Sequence, residues 1–192
     1  MEYLSLFDTL SKYGNLNKHD KTILKEKFKP FTAHKKEILL NSENKCNVIY
    51  FIHQGLIRAF YQDEEEHCFT RTIAWENRFL TNIRNFIEDK TTNEHFECIE
   101  HTKGLKISKN DFFYLLNISS NLKNIYADLI SVYSAFQIKR FEHLSLNSTD
   151  RYIFFLKNYP ELQNRLTDEI LASFLHMSTK TLERAKKNYL KL

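Results

Sequence analysis

The spacing of hydrophobic residues changes twice along the chain. In the first 30 residues apolar side chains recur at helical intervals, over residues 2–13 and again over 17–30. From residue 31 to 75 they fall instead into short runs rich in β-branched and aromatic residues, as in strands. Helical spacing returns after Ser108 and continues to the C-terminus. The pattern therefore predicts two short helices, then a sheet, then a helical C-terminal part.

Short strands separated by turn residues make up the middle of the chain. Residues 48–52 and 56–60 predict two strands joined by a tight turn at Gly55. The polar, acidic stretch 62–66 then predicts a hairpin tip, followed by a strand over 67–75. We expect a compact antiparallel sheet that is closed or nearly closed on itself.

A helical segment interrupts the strand region before the sheet is completed. Residues 76–89 have apolar side chains at helical spacing, whereas 96–99 and 104–107 predict the closing strands. Ser108 is a good N-cap for a short helix over 111–116, because its hydroxyl can accept from the free amides of the first turn.

The longest helical stretch lies between residues 118 and 146. It has no Gly or Pro between 121 and 142, and its apolar residues recur at steps of three, four, three and four. These residues are Leu122, Ile125, Leu129, Val132 and Phe136. That spacing is typical of a helix that packs along a partner, although an ordinary core helix has the same period. Its place between strand-like sequence and a short basic helical segment favours a dimerisation helix.

The C-terminal segment contains two closely spaced helices after a preceding one. Ser148 or Thr149 can cap a helix that Pro160 ends, and Thr167 can cap the helix DEILASFL. The turn HMS separates that helix from TKTLERAKKNYLK, which gives the spacing of a helix-turn-helix. The interior contacts that the motif requires are Ile170, Ala172, Leu175, Met177, Leu182 and Ala185. His176 occupies the turn position that glycine usually holds, so we expect a φ above zero without glycine's freedom.

The last helix of this segment is strongly basic. Between residues 178 and 191 one acidic residue, Glu183, stands against five basic ones. The basic residues are Lys180, Arg184, Lys186, Lys187 and Lys191. A basic helix after such a turn can place side chains against base edges and phosphates. A solvated basic face on a small helical cap has the same composition.

Composition and charge exclude some classes of protein. Hydrophobic residues make up 42% of the chain, with 16 Phe and 10 Tyr, so a packed core is expected and wholesale disorder is not. The chain has neither a signal-type N-terminal segment nor an 18-residue apolar run, which predicts a cytoplasmic protein without membrane contact. Cys46, Cys68 and Cys98 are odd in number and far apart, which favours reduced thiols. The net charge of +4 permits an acidic partner without requiring one.

Three local strings, taken with the order of the elements, carry a family resemblance. They are FIHQGLIRAFY in the strand region, LKISKNDFFYLL before the long helix, and STDRYIFFLKNYPEL before the helix-turn-helix. In this order they resemble the superfamily of the cyclic-AMP receptor and the fumarate-nitrate regulator, the Crp/Fnr superfamily. The resemblance spans residues 17–187, and it points to the short members typical of Bacteroidetes-like bacteria.

The resemblance implies an α+β fold in three parts. Residues 1–117 would form an antiparallel β-roll, a cyclic-nucleotide-binding-type jelly roll with N-terminal helices and a sensor-like role. Residues 118–146 would form the connector and dimerisation helix. Residues 147–192 would form a small all-α helix-turn-helix domain that binds DNA.

The resemblance also implies a function. It predicts a homodimeric, sequence-specific transcription regulator, not an enzyme, whose partners are double-stranded DNA and a second copy of the chain, with RNA polymerase as a further candidate. Thr179, Lys180 and Arg184 occupy the positions that approach bases, Ser178 and Thr181 lie near the backbone, and Lys187 faces phosphates. Since the family often has glutamate where Lys180 stands, the target sequence is not transferable from relatives.

The nucleotide cassette of the family is substituted in this chain. Members that bind cyclic AMP use a Gly-Glu pair for the ribose and, about ten residues later, an Arg-Ser pair for the phosphate. Counting back from LKISKNDFF places Thr81 and Asn82 at the first pair, and Thr92 and Asn93 at the second. Cyclic AMP is therefore not expected as a ligand, and no cofactor is predicted. A different small effector, a replacement cation from Arg78 or Arg84, or a scaffold without ligand remain open.

Other sensor and enzyme chemistries find little support. An iron–sulfur sensor needs clustered thiolates, but the first 45 residues contain no cysteine. The eight histidines lack the paired short spacing of a zinc site, so no metal is predicted, and a haem ligand is not singled out. A cupin-type enzyme would need a metal cluster that the sequence does not assemble, and the chain lacks a nucleophile elbow and a phosphate loop.

One alternative from another functional class stays open. The chain could be a dimeric ligand-sensing or scaffold module whose C-terminal helices bind a protein instead of DNA. DNA binding with a steep salt dependence, lost when Lys180 and Arg184 are removed, would distinguish the two.

Overall fold

The computed structural model describes residues 2–65 and 67–191, and it shows an α+β chain with two four-stranded sheets. The chain divides into two compact units. The first unit runs from the N-terminus to Ala59 and from Ile73 to Val132, and the second combines Phe60–Thr72 with the chain from Tyr133 onward. Glu66, the last residue of the predicted hairpin tip, lies outside the described residues.

Eight strands and five helices precede the C-terminal segment in the described chain. The helices are α1 (Glu2–Leu10), α2 (Lys18–Lys27), α3 (Ile83–Glu88), α4 (Lys109–Ile118) and α5 (Ser120–His143). The strands are β1 (Lys29–Ala33), β2 (Ile38–Leu40), β3 (Val48–Gln54), β4 (Ile57–Gln62), β5 (Cys68–Ala74), β6 (Phe79–Leu80), β7 (His95–Cys98) and β8 (Thr102–Ser108). One sheet has the order β1-β8-β3-β6 and the other β2-β7-β4-β5.

The centre of the first sheet is the antiparallel pair β3 and β8. Phe51 lies opposite Leu105, and both side chains are fully buried. Gly104 stands beside them, and a Cβ added to it would lie 2.0 Å from the carbonyl oxygen of Phe51. Only glycine allows the two backbones to approach so closely.

Gly55 marks a corner between the two sheets. We expected a tight turn joining two strands there, but β3 and β4 belong to different sheets, so the chain crosses from one layer to the other at this point. Gly55 has a φ of 102° and donates its amide hydrogen to a carboxylate oxygen of Glu76 at 2.9 Å. The turn residue was recognisable from the sequence, whereas the change of sheet depends on long-range pairing.

A buried carboxylate connects α2 with the start of α5. Asp20 completes a capping box with Asn17, which confirms Asn17 as the N-cap of α2. The hydroxyl of Ser119 and the side-chain amide of Asn121 both donate to the Asp20 carboxylate, at 2.8 and 2.7 Å. The amide of Asn17 is the third donor to this buried carboxylate, which is therefore well satisfied, so the cluster fixes where α5 begins.

Several predicted boundaries of the first unit need adjustment. Ser108 is the N-cap of α4 as predicted, although the helix runs from Lys109 to Ile118 and not over 111–116. The predicted helix over 76–89 is only in part helical, because it contains the short strand β6 before α3. Neighbouring strand β3 pairs with β6 through Tyr50 and Phe51, which overrides the local helical pattern.

The second unit contains the C-terminal helices around an aromatic core. They are α6 (Ser148–Asn158), α7 (Asp168–Phe174) and α8 (Thr179–Tyr189), with a short 3₁₀ turn at Pro160–Leu162. Tyr159 is buried at the centre, with the rings of Phe155 and Phe174 at centroid distances of 5.8 and 5.3 Å. None of the described helices combines the length and apolarity that crossing a membrane requires.

The capping residue of α6 differs from the prediction. Asn147, and not Ser148 or Thr149, accepts from the amide of Asp150 and is the N-cap. Asparagine is as good a cap as serine, so three adjacent candidates could not be ranked from sequence. Thr167 caps α7 as predicted.

Candidate nucleic-acid interface

The predicted recognition helix is α8, and its start is defined by a side-chain cap. Ser178 accepts from the amide of Thr181 at 3.2 Å, and the two hydroxyls lie 2.9 Å apart. Leu182 and Ala185 are fully buried on the inner side of the helix. Two buried positions three residues apart leave the rest of the helix circumference to solvent.

The outer side of α8 carries the predicted DNA-binding residues. Ser178, Thr179, Lys180, Arg184 and Lys187 are all exposed, and Thr181 is half-buried. The Lys187 ammonium lies 2.6 Å from the carboxylate of Glu183, and Lys186 pairs with Asp168.

The positive charges on this side are not neutralised equally. Within residues 2–65 and 67–191, no ion pair is formed by Lys180 or Arg184. Their charges lie at the N-terminal half of the helix, where a helix in the major groove approaches base edges. The unpaired cations are thus available to an anionic partner.

Two arginines hold the turn between α7 and α8. Arg151 donates to the carbonyl oxygens of Leu175 and His176 at 3.2 and 3.0 Å, and Arg140 donates to that of Phe174 at 3.2 Å. These carbonyls belong to the C-terminal end of α7, where unpaired acceptors and the helix dipole favour cations. The arginines supply donors that the short turn itself lacks.

His176 adopts the backbone predicted for it, with a φ of 53°. The left-handed conformation is less costly for histidine than for branched residues. Partial burial, with the cations of Arg140 and Arg151, lowers the pKa of His176 from its ordinary value. The neutral imidazole is therefore favoured in a turn surrounded by guanidinium groups.

Sequence reasoning did not single out Arg140 or Arg151. A signal for Arg140 existed: the predicted stripe of α5 ends at Phe136, and one further step of four reaches Arg140. A charged residue that continues an apolar stripe is buried on the same face, where it needs hydrogen-bond partners. Arg151 offered no comparable signal, because the carbonyls that it bonds at the turn, those of Leu175 and His176, are distant from it in sequence.

The predicted dimerisation residues lie largely against their own chain. Leu122 and Ile125 are 5% and 2% exposed in the core of the first unit. The ring of Phe136 lies against buried Tyr159 in the second unit, at a centroid distance of 6.0 Å. Leu129 is half-buried, and Val132 is exposed. This stripe is therefore mainly the inner face of α5.

The other face of α5 exposes large apolar residues. Ile138 is 62% exposed and Phe141 71% exposed, with Ser134 and Ala135 exposed on the preceding turn. At 3.6 residues per turn, these positions lie opposite Arg140, which is buried. Exposed large apolar side chains beside small ones are typical of a surface that another helix can approach closely.

The four predicted cassette positions come together around the start of α3. Asn82 is the N-cap of α3, and its side-chain amide donates to Thr92 at 3.3 Å and to the carboxylate of Glu94 at 2.9 Å. Thr81 donates its hydroxyl to the carbonyl of Val48 at 3.1 Å. Thr92 and Glu94 are buried, while Asn93 is exposed. Counting back from LKISKNDFF thus identified cassette positions that lie close together in the structure.

A polar cavity of about 480 Å³ lies beside these residues. It is lined by Ser42, Glu43, Arg84, Asn85, Glu88, Lys90, Thr91, Thr92 and Asn93. Arg84 lines the cavity and donates to Glu88 at 3.3 Å, whereas the Arg78 guanidinium carbon lies 3.5 Å from the centroid of the Trp75 ring. Both candidate replacement cations are therefore engaged within the chain.

Thiols and histidines form no metal-binding group among the described residues. Cys46 and Cys98 are buried, and Cys68 is half-buried. Burial raises the pKa of Cys98 to about 11, so this thiol stays protonated near neutral pH.

Comparison with known proteins gives a fold but no close relative. No protein-family model matches the sequence, and no curated protein is significantly similar to it. Solved structures do match over most of the chain.

Three of these structures illustrate the likeness. FixK2 from Bradyrhizobium japonicum is 11% identical, with 85% of each chain covered and a TM-score of 0.73. CLP, a c-di-GMP responsive global regulator in Xanthomonas campestris, is 15% identical, with 88% of this chain and 90% of that chain covered and a TM-score of 0.70. A protein from Eubacterium rectale assigned to the Crp/Fnr family of transcriptional regulators is 14% identical, with 91% and 84% covered and a TM-score of 0.69. The chain therefore has the fold of Crp/Fnr-type regulators, a cyclic-nucleotide-binding-type roll followed by a helix-turn-helix.

Proposed function

We propose that this protein is a homodimeric transcription regulator that binds double-stranded DNA through α8. The observation that carries the proposal is the exposed side of α8, where Lys180 and Arg184 project without an ion-pair partner among the described residues. The helix is held by a buried inner side and a capped start, so it can enter a groove as a rigid body. The likeness in fold to Crp/Fnr-type regulators supports the same function.

The roles of the side chains follow from their places along α8. Thr179, Lys180 and Arg184 would face base edges, with Arg184 suited to a guanine through two parallel hydrogen bonds. Ser178, Thr181 and Lys187 would lie near phosphates. The Lys187–Glu183 pair is largely exposed, so it is weak and is readily exchanged for a phosphate contact.

A second copy would pair through the outer face of α5. Ile138 and Phe141 supply the exposed apolar area, and Ala135 allows a helix to approach closely. Burying two such side chains per subunit contributes about 3 to 6 kcal/mol per subunit before the cost of association is subtracted. Two-fold symmetry would then place two α8 helices in successive major grooves, about 34 Å apart, on a pseudo-palindromic site.

The roll would not bind cyclic AMP by the usual chemistry. No cation is present at the four cassette positions, and the carboxylate of Glu94, only 3% exposed, lies within hydrogen-bond distance of Asn82. A buried carboxylate disfavours a phosphate beside it. We expect DNA affinity to be unchanged by cyclic AMP in an anisotropy titration, and an affinity that rises on addition of the nucleotide would contradict this part of the proposal.

A DNA-binding titration tests the function itself. Genomic fragments are selected on the purified chain, and binding is measured by fluorescence anisotropy at several salt concentrations. We expect affinity to fall steeply with salt, and the double variant Lys180→Ala with Arg184→Ala to weaken binding at least about tenfold, because both base and phosphate contacts are lost.

The control removes the same charge elsewhere. Lys103 and Lys106 are exposed on β8, and replacing both by alanine lowers the net charge equally. This variant should bind as the wild type does. Equal losses of DNA affinity in both double variants would indicate a nonspecific charge effect. A chain that binds proteins but not DNA would favour the alternative function of a scaffold module.

A further inference from the structure

The strand β5 lies at the end of its sheet, and its free edge is covered by a side chain of α7. The amide of Thr70 donates to the hydroxyl oxygen of Ser173 at 2.8 Å, and the Ser173 hydroxyl donates to the carbonyl of Cys68 at 2.7 Å. The hydroxyls of Thr70 and Ser173 lie 2.9 Å apart. Ser173 thus bonds both backbone groups that a further strand would otherwise pair with.

Arg140 adds a second connection at the same place. Its side chain is 6% exposed, and Nη2 donates to the carbonyl of Thr70 at 2.9 Å and to that of Phe174 at 3.2 Å. The guanidinium carbon also lies 4.1 Å from the centroid of the Phe174 ring. Burial lowers the pKa of Arg140 to about 10, so the group stays charged near neutral pH. One cation therefore joins β5, α5 and α7.

These contacts leave the DNA-binding side uncovered. Ser173 and Phe174 belong to α7, whereas Lys180 and Arg184 are exposed on α8. Leu182 and Ala185 of α8 are fully buried, and α7 and α8 are in direct contact, so the position of α8 depends on that of α7. In the arrangement that the hydrogen bonds of Ser173 and Arg140 hold, the exposed side of α8 is thus accessible to DNA.

We propose that the hairpin formed by β4 and β5 is a latch that holds α7 and α8 in the arrangement competent for DNA. The latch consists of Ser173 and Arg140 bonded to the backbone of Cys68 and Thr70. This inference rests on the proposed DNA-binding function. A ligand or modification that displaces the hairpin would weaken DNA binding without touching α8.

The test is Ser173→Ala in the full-length protein, with two measurements. Hydrogen exchange of the Thr70 amide, resolved by NMR, should be about five- to tenfold faster, because its acceptor is lost. Affinity for the selected DNA fragment should fall by about threefold or more, while the salt slope stays the same because no phosphate contact is removed. Ser145→Ala is the matched control, since the exposed Ser145 hydroxyl donates to the carbonyl of Glu142, three residues earlier in the chain.

Each outcome decides between the two proposals. Unchanged exchange at Thr70, or faster exchange with unchanged DNA affinity, would overturn the latch. A wild type that binds no DNA would refute the proposed function and the latch with it, whereas equal binding by wild type and Ser173→Ala refutes the latch alone. Should Ser173→Ala fail to fold, Thr70→Val removes only the side-chain hydroxyl and is expected to give the same two changes, smaller in size.

Discussion

A methyl group added at Gly104 would meet backbone, whereas one added at Gly14 would meet a side chain. At Gly104 the obstacle is the carbonyl oxygen of Phe51 at 2.0 Å, inside the β3–β8 pair. At Gly14 the nearest atom is Cγ1 of Ile125 at 2.6 Å. A side chain can rotate and a paired strand cannot, so the two positions differ in tolerance.

We expect Gly104→Ala to lower the free energy of unfolding by about 3 kcal/mol, because β3 and β8 must separate locally. Urea denaturation followed by circular dichroism measures the change. Gly14→Ala is the control and should cost less. Equal losses in the two variants would show that the close approach of the β3 and β8 backbones is unimportant.

The shifted pKa of His176 predicts a pH dependence of stability. Because its folded pKa is lowered, the unfolded chain binds more protons between the folded value and the ordinary one of about 6.5. The contribution is fully present above the ordinary pKa and is lost as the pH falls through the folded pKa. Thermal unfolding should show wild type losing more stability than His176→Asn as the pH is lowered from 7.5 to about 5.

Asparagine is chosen because it tolerates a positive φ and does not titrate in this range. If the two proteins lose stability in parallel, the titration of His176 is not the cause.

At the scale of elements, α5 shows that the spacing of apolar residues predicts a helix more reliably than it predicts what the helix packs against. The steps of three and four correctly indicated a long helix, now α5 (Ser120–His143). They could not indicate whether Leu122 and Ile125 face another copy or the same chain, because both surroundings are apolar. The C-terminal end of its apolar stripe is informative in retrospect, since Arg140, one step beyond Phe136, is buried there with backbone partners.

In the candidate site, as in α5, the local features could be predicted from the sequence and the tertiary contacts could not. The helix-turn-helix spacing, the basic side of α8 and the positive φ at His176 followed from local chemistry. The contacts of Ser173 and Arg151 did not, because their partners are backbone atoms brought near by tertiary folding. A serine within a short helix is otherwise read as a neutral choice.

The turn between α7 and α8 should depend on Arg151. Its replacement by alanine removes two donors from the C-terminal carbonyls of α7, and we expect the free energy of unfolding to fall by about 1–2 kcal/mol. Chemical denaturation provides the measurement. Lys157→Ala, on the exposed side of the same helix α6, removes equal charge and should have little effect. A comparable loss in both would attribute the effect to charge alone.

At the scale of the whole molecule, pairing of two copies would depend on the outer face of α5. Phe141→Glu places a charge on the most exposed apolar side chain of that face, and we expect it to convert dimer to monomer in sedimentation-velocity experiments. Ile87→Glu, exposed on α3, is the matched control and should leave the oligomeric state unchanged.

Phe136→Ala distinguishes the inner face from the outer one. Because Phe136 lies against buried Tyr159, this variant should lower thermal stability while the protein remains dimeric. Dissociation by Phe136→Ala, with Phe141→Glu still dimeric, would restore the stripe first predicted from the sequence as the dimer contact.

The second unit is assembled from two pieces of chain that are distant in sequence, Phe60–Thr72 and the part from Tyr133 onward. A gene fusion that transplants only the later piece would leave Ser173 and Arg140 without the backbone groups of Cys68 and Thr70 that they bind. We expect such chimaeras to be poorly folded unless the hairpin travels with the helices. For this fold, the part to be transplanted should therefore be chosen by its contacts in three dimensions and not by a single cut along the sequence.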